Sequence, residues 1–370
     1  MPEVAAAETA AVTELADSAT TFWVGASSLG RIGSAARGVR RLIAHRDGRL
    51  VLEDPIDVGP NPMFLAWSSP ETMAVAHELP TGLVSTWTAH AGGLERRSAP
   101  VPTAGAAPCH LLFSADGSAL YVANYSGGSV AAVRLVGPAG GRGEQVLAQA
   151  FDGSSVHPMR QQRPHPHQVV RDDARSRLLV PDLGTDRLRV LRADPSRQWR
   201  LEHDSGADIR LHAGAGPRHL VVAGRFAIVA NELDTTLSVV DLIDGLERSW
   251  IPLGDGTPIR QGASAIQMTR AGSILIADRD FGGIHALAFD PSTATVERVT
   301  SIRTGGRHPR DIELTGDERT LLVADQASDS ITALHLDPRG IPVAVGATVR
   351  TPAPACLLRV PASPASSAPA

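Results

Sequence analysis

Apolar positions in this chain fall into short runs that return at a nearly fixed interval. Seven of them open after a proline or a small residue: NPMFLAWS from residue 61, APCHLLFS from 107, HPHQVVRD from 165, GPRHLVVA from 216, GASAIQMT from 262, HPRDIELT from 308 and APACLLRV from 353. With Pro62, Pro108, Pro166, Pro217, Ala263, Pro309 and Pro354 as anchors, the steps are 46, 58, 51, 46, 46 and 45 residues. A period of that length is the length of one propeller blade. About fifteen residues after each of the first six anchors comes a second apolar run ending in a polar pair: MAVAHE, LYVANY, LLVPDL, AIVANE, ILIADR and LLVADQ. Val/Ile/Leu-rich runs separated by Gly, Asp, Asn and Ser are strand and hairpin signals, and helical periodicity is almost absent outside the first residues. The pattern predicts an all-β, seven-bladed β-propeller over residues 21–360, with coil tails at 1–20 and 361–370.

The seventh run has little chain after it, so its blade must borrow strands from elsewhere. TFWVGASS and GVRRLIAH, upstream of the first repeat, are the candidates. Pairing them with the last run closes the ring and removes the exposed edge that an open stack would leave. In a propeller, the residues that start the innermost strands and those that end the second strands crowd one mouth of the central channel. Here the strand starts carry His110, His165, His167, Arg218, His219, Arg310 and Asp311. The strand ends carry His77, Glu78, Asn124, Tyr125, Asp182, Asn231, Glu232, Asp278, Arg279, Asp325 and Gln326. The Asn or Asp in these pairs is the kind of residue that ties off a hairpin. The residue after it changes from blade to blade (Glu, Tyr, Leu, Glu, Arg, Gln), as expected of positions that each show a different group to one ligand.

Composition narrows the chemistry. The formal net charge of the 370 residues is -4, which gives no electrostatic case for nucleic acid or an anionic membrane surface. No lysine occurs, so all 35 basic residues are arginine, and lysine Schiff-base or P-loop chemistry is excluded. What remains is a supply of permanently charged, bidentate anion binders. Cys109 and Cys356 have neither CxxC nor Cys/His spacing and fit reduced thiols in a cytoplasmic protein, with Cys109 packing at a strand start. No run approaches the ~18 apolar residues of a membrane helix, and the acidic N-terminus does not read as a signal peptide. Trp67 and Trp87 are expected as core filling between blades.

The segments APCHLLFSADGSALYVANYSGGSV, RPHPHQVV, GPRHLVV, AIVANELDTTLSVV and TGGRHPRDIELTGDERTLLVADQASDSI together resemble the lactonase family of seven-bladed propellers. Its members include bacterial 6-phosphogluconolactonases and the fungal 3-carboxymuconate lactonizing enzyme. The resemblance implies catalytic roles for His167, Arg218 and Glu232, accompanied by Arg279 and Arg310. Around them, His110, Tyr125, His165, Glu78, Asn231 and Gln326 are expected to bind substrate. It implies no cofactor and no metal, a small-molecule lactone or acidic sugar as partner, and a monomer or weak homo-oligomer. The chain departs from the family in having Ala265 where many members carry Glu, Asp311 where many carry His, and ADRDFGGI in place of a Ser-Asn-Arg-Gly type of turn.

Opening a lactone with water needs a proton acceptor, donors for the developing oxyanion and an anchor for the rest of the substrate. A histidine suits the first task at neutral pH, and arginines suit the other two. The same parts could close a muconolactone ring instead, or a silent propeller could simply bind a small acid or peptide. A calcium-dependent lactonase is a further alternative. The stretch HPMRQQRPHPHQVV, residues 157–170, concentrates the question. Its three histidines could hold zinc, form a bland loop, or supply His167 as base, with His165 and either Arg163 or Arg160 on the rim. The base reading is favoured.

Overall fold

A computed structural model describes residues 19–30, 35–69, 71–90, 92–136, 142–254 and 262–361. Both tails expected to be coil fall outside these residues, save at their inner ends, where the first strand starts at Thr20. The described residues form seven antiparallel sheets of four or five strands each. Six of the seven sequence anchors open the innermost strand of a sheet: Pro62–Ser69, Pro108–Phe113, Pro217–Ala223, Ala263–Met268, Pro309–Leu314 and Pro354–Arg359. Pro166 pairs with Asp182 as an isolated bridge ahead of the short inner strand Val170–Asp172. Proline suits the first residue of a strand because the ladder needs no N–H from it there. The blades are numbered one to seven from Pro62 onward.

Blade seven is composite. The C-terminal Pro354–Arg359 is its inner strand, and it pairs antiparallel with Thr20–Ala26, which in turn pairs with Arg40–Ala44 and that with Leu50–Leu52. The ring is closed as the pattern predicts. Its inner strand lies beside those of blades six and one. Seven apolar clusters fill the seven interfaces between neighbouring blades. Trp67 and Trp87 both lie in the cluster between blades seven and one.

Candidate active site

One backbone device recurs in every blade. The residue after the second strand sends its N–H to the carbonyl just before the anchor: Glu78 to Asn61, Tyr125 to Ala107, Leu183 to His165, Glu232 to Gly216, Arg279 to Gly262 and Gln326 to His308. In the composite blade Ser27 does the same to Ala353. Several of the accepting residues take positive φ, among them Asn61, Ala107, Gly216, His308 and Ala353. The preceding Asn or Asp is spent on structure. Asp182 accepts from His165 N, Gly184 N, the Thr185 hydroxyl and Arg189 Nε. Asp325 accepts from the hydroxyls of Thr304 and Thr332. Backbone repetition therefore fixes seven equivalent perches, and the side chain on each is free to differ.

A second device aims the strand starts. In six blades the register shifts just after the anchor. Pro217 faces Asn231 and His219 faces Ala230, leaving Arg218 bulged, and Arg310 is bulged in the same way between Pro309 and Asp311. Equivalent shifts occur in blades one, two, five and seven. A bulge breaks the in-out alternation and re-aims one side chain. Here it turns guanidiniums toward the mouth.

The bulge of blade four, the perch of blade five and the loop joining blades two and three converge on Glu232. Its Oε1 lies 2.8 Å from Arg160 Nη2, and its Oε2 lies 2.8 Å from Arg279 Nη2 and 3.2 Å from Arg218 Nε. Burial alone would raise the Glu232 carboxyl, but Arg279, Arg218 and the other cations outweigh it and hold it far below the usual range, so it is ionised. Burial, then the neighbouring Arg279, pushes the Arg218 guanidinium down to about 9, still protonated at neutral pH. The Arg218–Glu232 contact lacks hydrogen-bond alignment. Nε and Nη1 of Arg218 and Oε2 of Glu232 have no hydrogen-bond partner among the described residues. Buried donors of this kind are costly unless something meets them. Farther round the mouth Arg310 faces Glu78 at 3.8 Å, linking blades six and one.

Imidazoles complete the wall. His167 and His219 meet edge to face at 5.4 Å between ring centroids, and His219 meets His110 at 6.0 Å. Burial, followed by Arg218, holds all three well below the ordinary imidazole range, His110 at about 3, so they are neutral. Tyr125 stacks on His165 at 4.5 Å and touches the edge of His167 at 5.2 Å. Cys109 packs at its strand start, with Sγ 3.9 Å from His167 Nδ1, and burial pushes its thiol up, so no thiolate is available there.

The stretch 157–170 is thereby sorted. His157 Nδ1 accepts the N–H groups of Met159 and Arg160 and so caps a turn. Arg160 reaches Glu232 and the Tyr125 hydroxyl, both at 2.8 Å, whereas Arg163 is exposed. His165 and His167 both lie against Tyr125. Among the described residues no group of three or more His, Cys, Asp or Glu is arranged to hold a metal ion.

Not every expected residue joins the cluster. The Asn231 Nδ2 is spent inside blade four on the Thr236 and Ser238 hydroxyls, because the residue occupies the hairpin-tying position rather than the perch after it, while its buried Oδ1 has no hydrogen-bond partner among the described residues. Gln326 is buried with its N–H on His308. His308 was missed by sequence reasoning. Burial, then Arg279 and Arg310, holds its imidazole down at about 4. Its place directly before the sixth anchor, in the position that accepts from the perch, is the signal that could have found it.

The family described as Lactonase, 7-bladed beta-propeller matches residues 22–359, nearly the whole described chain. The chain belongs to the lactonase family. A putative 6-phosphogluconolactonase from Bacteroides fragilis is similar, with 25% identity over 93% of this chain and 99% of that one and a TM-score of 0.84. The periplasmic gluconolactonase of Pseudomonas aeruginosa is 27% identical over 94% of this chain and 100% of that one, with a TM-score of 0.85. The probable 6-phosphogluconolactonase of Arthroderma benhamiae is 26% identical over 51% of each chain, so this chain spans about half the length of that relative. Among the described residues no helix is long and apolar enough to cross a membrane.

Proposed function

We propose that this member of the lactonase family hydrolyses a sugar lactone of the 6-phosphogluconolactone type at the Glu232 cluster. The observation that carries the reading is the ring of Arg160, Arg218 and Arg279 about one buried carboxylate, with the neutral His167 imidazole alongside. Water adds to the lactone carbonyl carbon while His167 takes its proton. The carbonyl oxygen becomes an oxyanion opposite the unpartnered Arg218 donors. Collapse breaks the ring C–O bond, and the imidazolium returns the proton to the departing alkoxide. An imidazole whose protonated form is destabilised is a weak acceptor but a ready donor, which suits the second step. Glu232, locked as an ionised counter-charge, orients the arginines and is too weak a base to compete for the proton.

Every residue named comes from one chain, so the reading needs no second copy. The two cysteines, both free and buried, support a cytoplasmic compartment for the enzyme. A panel of 6-phosphogluconolactone, glucono-δ-lactone and a carboxymuconate, each with and without chelator, tests the assignment. Acid release from a lactone well above the spontaneous rate, unaffected by chelator and lost in a folded His167→Ala variant, is the expected result. Loss of muconate absorbance instead would reassign the chemistry to lactonising isomerisation. Silence on all three would leave a binding protein, and chelator-sensitive turnover would bring in a metal.

A further inference from the structure

Arg160 differs from the other guanidiniums at Glu232 in its origin and in its accessibility. Arg218 and Arg279 rise from blades four and five, and their side chains are 3% and 11% exposed. Arg160 comes from the loop joining blades two and three and keeps 30%. That loop accounts for the longest anchor step, 58 residues.

The loop is firmly tied down. Gln161, wholly buried, donates to Leu183 O at 2.9 Å and to Asp186 Oδ1 at 2.6 Å, and its Oε1 accepts from His157 N. Asp186 also collects the Ser155 hydroxyl and the N–H groups of Gly214 and Gly216. With His157 capping the turn at Met159 and Arg160, the guanidinium is delivered to the mouth on a fixed strap.

Charge at the mouth is unbalanced. Among the described contacts, Arg160, Arg218, Arg279 and Arg310 meet the carboxylates of Glu78 and Glu232, with Asp311 beside Arg310, and the imidazoles of His110, His167 and His219 are neutral. The surplus of guanidiniums suits an anion. The two innermost arginines share Oε2 of Glu232, so Arg160, bound to Oε1 and half-facing solvent, is the one placed to exchange its partner. Its planar fork fits a phosphate bidentately. Tyr125 accepts from Arg160 and keeps its own hydroxyl hydrogen to donate.

We infer that Arg160 determines specificity by receiving the non-reacting phosphate monoester of the lactone, trading Glu232 for the ligand's oxygens while Tyr125 holds it in place. This deepens the lactonase reading and rests on it.

The test compares wild type, Arg160→Gln and Arg160→Lys for kcat and KM on 6-phosphogluconolactone and glucono-δ-lactone. Calorimetric titration with 6-phosphogluconate and gluconate accompanies it. The preference for the phosphorylated lactone is expected to fall about tenfold or more in Arg160→Gln, through KM, the scale of one lost charge-assisted hydrogen bond. Arg160→Lys should restore part of it. A residue that merely props Glu232 would lower both lactones alike and leave the preference intact, which would overturn the inference. Should wild type hydrolyse neither lactone, the functional reading fails and calorimetry still decides about Arg160. Tighter binding of 6-phosphogluconate than gluconate, lost in Arg160→Gln, upholds it. Equal affinity of wild type for the two acids sinks it whatever the turnover.

Discussion

His167 illustrates how a residue type chosen for its solution chemistry is redefined by its surroundings. In water an imidazole would titrate near 6.5, and that value is what suggests a histidine as base from sequence alone. Here burial, and then the adjacent Arg218, disfavour the imidazolium and lower the pKa, with Glu232 only partly opposing them. The neutral ring is the form that accepts a proton, and a lowered pKa keeps that form populated as pH falls through 6.5. We therefore expect kcat/KM, corrected for spontaneous hydrolysis, to stay level through that point and to show its acid limb below it. Asp311 complicates the window. It lies next to Arg310 on the same strand, accepts from Leu357 N at 2.7 Å, and burial pushes it up to about 6. An Asp311→Asn variant removes that titration from the profile. An acid limb at or above 6.5 that persists in Asp311→Asn would take His167 out of the proton-accepting role.

The blade is the scale at which the sequence was most legible. The anchors, the hairpin-tying Asn or Asp and the variable residue after it are all local and periodic. Pro217, Asn231 and Glu232 thus have places in a strand, a hairpin and a mouth that the sequence pattern alone predicts. What periodicity cannot encode is a connection that departs from the repeat. Arg160 sits in the long step between blades two and three, and its arrival at Glu232 depends on contacts to Gln161, Leu183 and Asp186 that leave no spacing signature. The register shifts that turn Arg218 and Arg310 were likewise invisible, because a single unpaired residue barely alters a period of about 46.

Gly184, in the turn after the second strand of blade three, is where this non-periodic element packs against the repeat most closely. A Cβ there would stand 1.8 Å from Arg163 O and 2.9 Å from His165 N, both backbone atoms that cannot yield without moving the strap. Gly184→Ala is expected to cost about 1–3 kcal/mol in stability from overpacking. It should also cost roughly 10²-fold in kcat/KM, because the displaced segment carries Arg160, His165 and His167. Gly206→Ala, elsewhere in blade three with only a side-chain oxygen at 3.7 Å, should leave both quantities near wild type. Thermal melts and steady-state kinetics on the two variants check this, and equal behaviour would show that the strap does not set the geometry.

For the whole molecule the decisive contact joins residues more than three hundred positions apart. Val24 pairs with Leu357 and Phe22 with Arg359, so the sheet partner of the last strand is the first strand. The apolar clusters on either side of blade seven both depend on that strand, one through Leu357 and the other through Cys356. The Arg310–Glu78 pair spans blades six and one, which blade seven alone separates, so closure also fixes part of the mouth. Without the strand, Thr20–Ala26 would present an open edge and each flanking cluster would lose a buried side chain, Leu357 from one and Cys356 from the other. Ending the chain at residue 353 is accordingly expected to abolish the cooperative melt and to drive the protein into aggregates on size exclusion. The milder Leu357→Ala change, at a side chain 3% exposed, should cost about 2–5 kcal/mol while leaving a closed monodisperse ring. A truncated chain that melts like wild type would mean that six blades and a three-stranded remnant suffice, and the ring would not owe its stability to this seam.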